Sequence, residues 1–198
     1  MFAVLFEVQP KPEQWDAYLE NAKLLRPELE QIDGFVDNIR YKSLTRDGWL
    51  LSLSNWRDEK AVVRWRTTMR HHMVQQKGRD EIFADYHLRV AQITADTKLP
   101  PGQVLTEQRL DETQTGDAKC VTLIDAKRPE GWASTTNPAD CAEFLGLDPY
   151  ADGLIAWDVF DAVLTPGDLI LMISWRDRAA SDAFDGIIRL KEEARRRR

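Results

Sequence analysis

The stretches NWRDEKAVVRW, residues 55–65, and SWRDRAASDAF, residues 174–184, are one short pattern written twice. At a constant offset of 119 residues, Gly34 falls on Gly153, Gly48 on Gly167 and Leu50 on Leu169. Trp56-Arg57-Asp58 falls on Trp175-Arg176-Asp177, Ala61 on Ala180 and Trp65 on Phe184, with no gap. The turns align as well, since Arg46-Asp47-Gly48 and Thr165-Pro166-Gly167-Asp168 both read as hairpin connections between apolar runs. A chain of this kind is most simply a duplication, and it can adopt only folds that two copies of one unit can build.

The repeated unit follows from periodicity. Phe2 to Val8 is a short apolar run ended by Gln9-Pro10 and reads as a strand. Pro12-Glu13 opens a helical pattern that places Trp15, Tyr18, Leu19, Ala22 and Leu25 on one face, with Pro27 expected to bend or interrupt it. Phe35 to Thr45 and Trp49 to Trp56 form a hairpin. Asp58 stands at an N-cap position, and Ala61, Val62, Trp65, Met69, His72 and Met73 predict an apolar stripe along a second helix that Gly78 ends. Tyr86 to Thr94 supplies a last strand. The order βαββαβ makes the chain α+β, with two ferredoxin-like repeats.

Val4-Leu5-Phe6 and Leu169 to Ile173 are apolar at successive positions, so both faces of the sheet are expected to be covered, as in an α+β barrel of two sheets within one chain. The domains read as 1–95, a linker over 96–118 with one short strand at Val104 to Leu110, and a second repeat over 119–198. That second repeat is degenerate. Only Pro138 to Leu145 looks helical in its first half, and the offset puts its last strand beyond residue 198. The expectation is a second repeat lacking that strand, its open edge covered by a removed tail or by a homodimer partner.

With 198 residues and 43% hydrophobic content, the chain has enough material for a sizeable core. A formal charge of -6 gives no global attraction for nucleic acid, and Arg195 to Arg198 read as a solvated helix end. No run is apolar for long enough to span a bilayer and no basic segment precedes Met1 to Phe6, so the expected setting is cytoplasmic, with no membrane partner. Cys120 and Cys141 form neither a metal spacing nor a disulfide framework. No phosphate loop, dinucleotide fingerprint, zinc helix or nucleophile elbow occurs, which argues against nucleotide hydrolysis, zinc catalysis and triad hydrolysis.

The remaining candidate is a pocket between sheet and helices in the first repeat, bounded by the second helix and by the hairpin carrying Asn38, Arg40 and Tyr41. On one continuous helix, Trp65 and His72 share a face about 10 Å apart, with His71 on the flank. Either histidine could serve as base and Arg40 or Arg79 as anion stabiliser, with Trp65, Tyr41, Phe83 and Tyr86 as wall. Ordinary structural roles are also open: a helix-terminal histidine, a core tryptophan, and an Arg79 paired with Asp80 or Asp85.

The run Trp56-Arg57-Asp58, Trp65, His71, Gln75, Gly78-Arg79 and Tyr86 resembles the antibiotic biosynthesis monooxygenase family of the dimeric α/β barrel superfamily. The resemblance covers residues 1 to about 95 well and the second half in part, and it singles out His71 as the histidine. It implies a fused version of a homodimer, a small organic substrate and O2, and a cofactor-independent oxygenase of an aromatic or phenolic molecule with no metal. Haem degradation is the second implication. Its members use a histidine and a tryptophan of the second helix and an asparagine of the first strand, and Phe2 to Val8 offers only Glu7 as a polar residue. A non-catalytic small-molecule binder is the third reading.

Overall fold

The computed structural model describes residues 1–106, 116–134, 136–187 and 194–198. Its elements are β1 (Phe2–Pro10), α1 (Trp15–Leu29), β2 (Phe35–Ser43), β3 (Leu50–Trp56), α2 (Glu59–Arg66), α3 (Met69–Lys77) and β4 (Phe83–Gln92), followed by the second set. That set is β5 (Cys120–Lys127), α4 (Pro138–Phe144), β6 (Leu154–Ala162), β7 (Asp168–Trp175), α5 (Arg178–Ile187) and β8 (Arg195–Arg197). The βαββαβ order thus occurs twice, and the chain is α+β with antiparallel strand pairing.

The described residues divide into two compact units: Met1–Arg40 with Gly48–Gln92 and the described part of Gly102–Arg109, and Tyr41–Asp47 with Ile93–Pro101 and the described part of Leu110–Arg198. The expected boundaries therefore shift in two places. The tip of the first hairpin joins the second unit, where Tyr41 pairs with Ala162 and Ser43 with Phe160. Residues 96–101 are likewise no free linker. The backbone N–H groups of Thr94 and Thr97 donate to the carbonyls of Arg198 and Arg196 at 2.7 and 3.0 Å, which satisfies groups a solvated linker would leave to water. The short strand expected at Val104 to Leu110 lies partly outside the described residues, and Val104 to Thr106 is not a strand.

In the first unit the strand order is β4-β1-β3-β2, and in the second β6-β7-β5-β8. Strand alternation and the register of β1 against β3 and β4 put Phe2, Val4, Phe6 and Val8 on one face with Tyr86, Leu88 and Val90. Phe2 and Val4 pack there with Leu29, Trp56, Ala61 and Val62, so this is the helix side. Leu5, Glu7, Leu51, Leu53 and Asn55 are buried on the opposite face, as the unbroken apolar runs require.

The duplicated motif performs the same task in both units. Trp56 and Trp175 are fully buried and donate from Nε1 to Ser54 Oγ and Thr122 Oγ1, both at 2.9 Å. Asp58 and Asp177 each accept an N–H, from Ala61 and Ala180, at 2.8 Å and so cap α2 and α5. Gly34 and Gly153, with φ of 91° and 77°, accept from the N–H of Arg57 and Arg176 at 2.8 Å. A methyl on Gly34 would stand 2.7 Å from the Ala61 methyl, and Gly153 meets Ala180 in the same way, so both positions exclude any side chain.

Three expectations need correction. The second repeat does have its last strand: β8 pairs with β5, Leu123 opposite Arg197 and Asp125 opposite Arg195. An arginine run does not look like a strand. It becomes one because carboxylates meet it: Arg197 with Asp125 at 2.6 Å, Arg195 with Asp96 at 2.5 Å, and Arg198 with Asp182. Along Leu123 to Asp125 no open edge is left, and the argument for a partner chain there falls.

The second correction is that the second helix is two helices. Thr67 donates its hydroxyl to the carbonyls of Val63 and Arg64, at 2.9 and 3.1 Å, and Thr68 donates to Trp65 at 3.0 Å. These bonds end α2, and Thr68 then takes an extended conformation that starts α3. The apolar stripe stops with the first helix, and Met69 and Met73 are 80% and 64% exposed. Third, Pro27 does not interrupt α1, because it falls in the last turn of a helix that ends at Leu29.

Candidate active site

The break between α2 and α3 decides which histidine turns inward. With the helical phase reset at Thr68, the His71 ring stacks on Trp65, centroids 4.3 Å apart and planes 25° from parallel. His72 is exposed. His71 Nδ1 is buried without a hydrogen-bond partner. Burial lowers its pKa from 6.5 to about 4, against the pull of the Arg66 and Trp65 backbone carbonyls, so the ring is neutral at pH 7 and only weakly basic. The unfolded chain takes up this proton near 6.5 and the folded chain only near 4. The stability His71 contributes is therefore complete above pH 6.5 and lost as pH falls toward 4. Urea midpoints at pH 7.5 and 5 should separate more for the wild type than for His71→Gln, and equal separations would show that His71 titrates normally.

Farther along the same side of the sheet lies an aromatic shelf. Phe83 meets Phe6, Tyr86 and Tyr18 at centroid distances of 5.6, 5.9 and 6.2 Å. Tyr86 and Leu88 face the helix side yet remain 42% and 47% exposed, so the helices leave this edge of the sheet uncovered. From Tyr86 to Val90 the shelf runs about 13 Å. Tyr18 closes its inner end. Burial raises the Tyr18 phenol pKa, while the positive charge of Arg40 nearby acts in the opposite direction. Arg40 Nε is buried without a hydrogen-bond partner. Asn38, two residues away on the same face, is engaged by Ser52 Oγ at 3.0 Å and the Leu53 carbonyl at 3.1 Å, which holds β2 in place.

The expected site residues thus separate. Phe83 and Tyr86 gather with Tyr18 at the shelf, with Arg40 near Tyr18, while Trp65 stacks on His71 and packs against the core of Phe2, Leu29 and Trp56. Tyr41 is not with them: it follows Arg40 on the strand, so its side chain turns to the other face, and it is buried in the second unit. His72 and Arg79 line a separate open hollow of about 470 Å³ with Arg66, Thr67 and Gln75. Tyr18 was hidden in the sequence as one more member of the apolar stripe of α1. Only the long-range contact with Arg40 distinguishes it.

The asparagine that the haem-degrading pattern takes from the first strand has no counterpart on the helix side of β1. β1 sends only Phe2, Val4, Phe6, Val8 and Pro10 to the helix side. Its polar residues, Glu7 and Gln9, face away, and Glu7 is buried against Arg89 at 3.1 Å. Among the described residues no three His, Cys, Asp or Glu side chains gather as a metal site. No helix among them is long and apolar enough to cross a membrane.

A βαββαβ unit written twice makes this a tandem ferredoxin-like α+β protein, and the chain belongs to the antibiotic biosynthesis monooxygenase family. The family model matches residues 1–77. Jasmonate monooxygenase ABM of Pyricularia oryzae is 50% identical over 191 residues, 94% of this chain and 87% of that protein. Among solved structures, a conserved protein from Methanosarcina mazei Go1 is similar with a TM-score of 0.42 and 19% identity, covering 46% of this chain and 89% of its own. A Fusobacterium nucleatum protein covers 93% of this chain and 80% of its own, with a TM-score of 0.41 and 11% identity.

Proposed function

We propose that the chain is a monooxygenase that binds a small organic molecule on the Phe6–Phe83–Tyr86 shelf, with the negative charge of the substrate set against Arg40. The observation that carries this reading is Arg40 itself: a guanidinium whose Nε is buried without a hydrogen-bond partner, near the Tyr18 phenol and paired with no carboxylate among the described residues. A cation in that position stabilises an anion formed beside it, and the apolar surroundings strengthen the effect.

The cofactor-independent reading requires the substrate to supply the electrons. The phenol gives its proton to solvent as Arg40 stabilises the phenolate, since a histidine held at about 4 by burial is too weak a base to take it. The phenolate then gives an electron to O2. The resulting radicals combine at a ring C–H carbon, and the peroxide loses water as that carbon becomes a carbonyl, so that the phenolic O–H, the ring C–H and O2 become a quinone and H2O. Trp65 keeps the His71 ring oriented by stacking. Because of the Pyricularia oryzae relative, jasmonate, an organic acid with a ring ketone, is assayed beside phenols and quinols.

Oxygen uptake with this panel, with and without added reductant, tests the proposal. The expected result is one O2 consumed per substrate without reductant, and a fall in kcat/KM of about 100-fold in Arg40→Gln with unchanged melting. Undiminished turnover in that variant would remove Arg40 from the site, and a requirement for reductant would end the cofactor-independent mechanism.

A further inference from the structure

The hollow that holds His72 and Arg79 has an unusual charge environment for this protein. Other arginines on the helices and turns of the first unit are neutralised locally. Arg26 meets Glu30 at 2.7 Å, Arg57 meets Asp33 at 2.7 Å, Arg64 meets Asp33 at 3.4 Å, and Arg70 meets Glu28 at 2.5 Å. Arg66 and Arg79 meet no carboxylate among the described residues, and both line the hollow, one from the end of α2 and the other from the turn after α3. Between them stand Thr67, His72 and Gln75. The walls therefore offer two guanidinium forks, an imidazole and an amide, and no acidic side chain.

Arginine forks match the geometry of an oxyanion, and charge-assisted hydrogen bonds to one are about twice as strong as neutral ones. The hollow is open to solvent, and its volume of about 470 Å³ leaves room for an organic group behind an oxyanion. We propose that this hollow is a binding site for a small organic molecule through its oxyanion group, a carboxylate or a phosphate monoester. It is separate from the Arg40 shelf and does not depend on turnover there. The break between α2 and α3 is what builds it: Thr67, which ends α2 by donating to Val63 and Arg64, is itself part of the wall.

The test uses the three histidines of the chain as reporters. Ring C–H signals of His71, His72 and His87 are followed by NMR while benzoate or phenyl phosphate is added to wild type and to the Arg66→Gln/Arg79→Gln double variant. The expected result is a saturable shift of the His72 signal with one or both ligands, His87 unmoved, and at least tenfold weaker binding in the double variant. The ligand that saturates identifies the head group. A His72 response that never saturates with either ligand overturns the proposal, and so does saturation that survives the double substitution. Because both residues are on the surface and Arg40 is untouched, unchanged melting separates loss of the site from loss of fold, and oxygen uptake at the shelf reports independently.

Discussion

Gly153→Ala should lower the unfolding free energy of the protein by about 2–4 kcal/mol, read as a drop of roughly 1–2 M in the urea midpoint. Two costs combine. The backbone at Gly153 has φ of 77°, where an L side chain is disfavoured, and the new methyl would collide with the methyl of Ala180. The collision matters because the Gly153 carbonyl also accepts from the N–H of Arg176 at 2.8 Å, so the turn cannot move away without losing that bond. Adding Ala180→Gly should restore the steric part and leave about 1–2 kcal/mol of backbone cost. A single variant as stable as the wild type would show that the turn does not pack on α5 as described.

Arg197→Met should cost about 2–4 kcal/mol, toward the lower part of the range for breaking a buried ion pair, because Asp125 keeps some contact with water. Arg197 is 5% exposed, and its guanidinium meets the Asp125 carboxylate at 2.6 Å. Burial already pushes the Asp125 carboxyl above its ordinary range, with Arg197 the main opposing influence. Without Arg197 that carboxyl should favour its proton more strongly. The stability linked to this group is then complete below the ordinary carboxyl range and lost as pH rises through the raised folded value, a slope that chemical denaturation at pH 4 and 7 would reveal. The double variant Arg197→Met/Asp125→Leu should recover most of the loss. If it instead remains as unstable as the single variant, β8 is held by something other than this pair.

The duplication was legible because its signal is local and chemically specific. A glycine that must have positive φ, a tryptophan that must be buried and an aspartate that must cap a helix leave marks that drift in the surrounding residues does not erase. The helix break at Thr67 and Thr68 was not legible. Neither glycine nor proline marks it, and two threonines turning their hydroxyls onto the preceding carbonyls look like any polar helix face. From that break came the misplaced stripe and the undecided choice between His71 and His72. β8 was missed for a related reason: its stability rests on Asp96, Asp125 and Asp182, far away in sequence, and nothing in four consecutive arginines announces a strand. In the candidate site, Arg40 and Tyr86 could be named from residue type and strand position, and Phe83 from residue type in the turn before the last strand. Tyr18 could not, because its link to Arg40 exists only after α1 has docked on the sheet.

The exposure of Met69 and Met73 has a consequence for durability under oxidative stress. The two thioethers lie four residues apart on the water side of the helix that also carries His71. Sulfoxide formation makes a methionine polar, which damages a protein when the sulfur belongs to a packed interior. Here both sulfurs can be oxidised and later reduced with little effect on packing. Peroxide reaching this helix from solvent would find expendable targets, while Trp65 and the His71 ring stacked against it stay partly shielded.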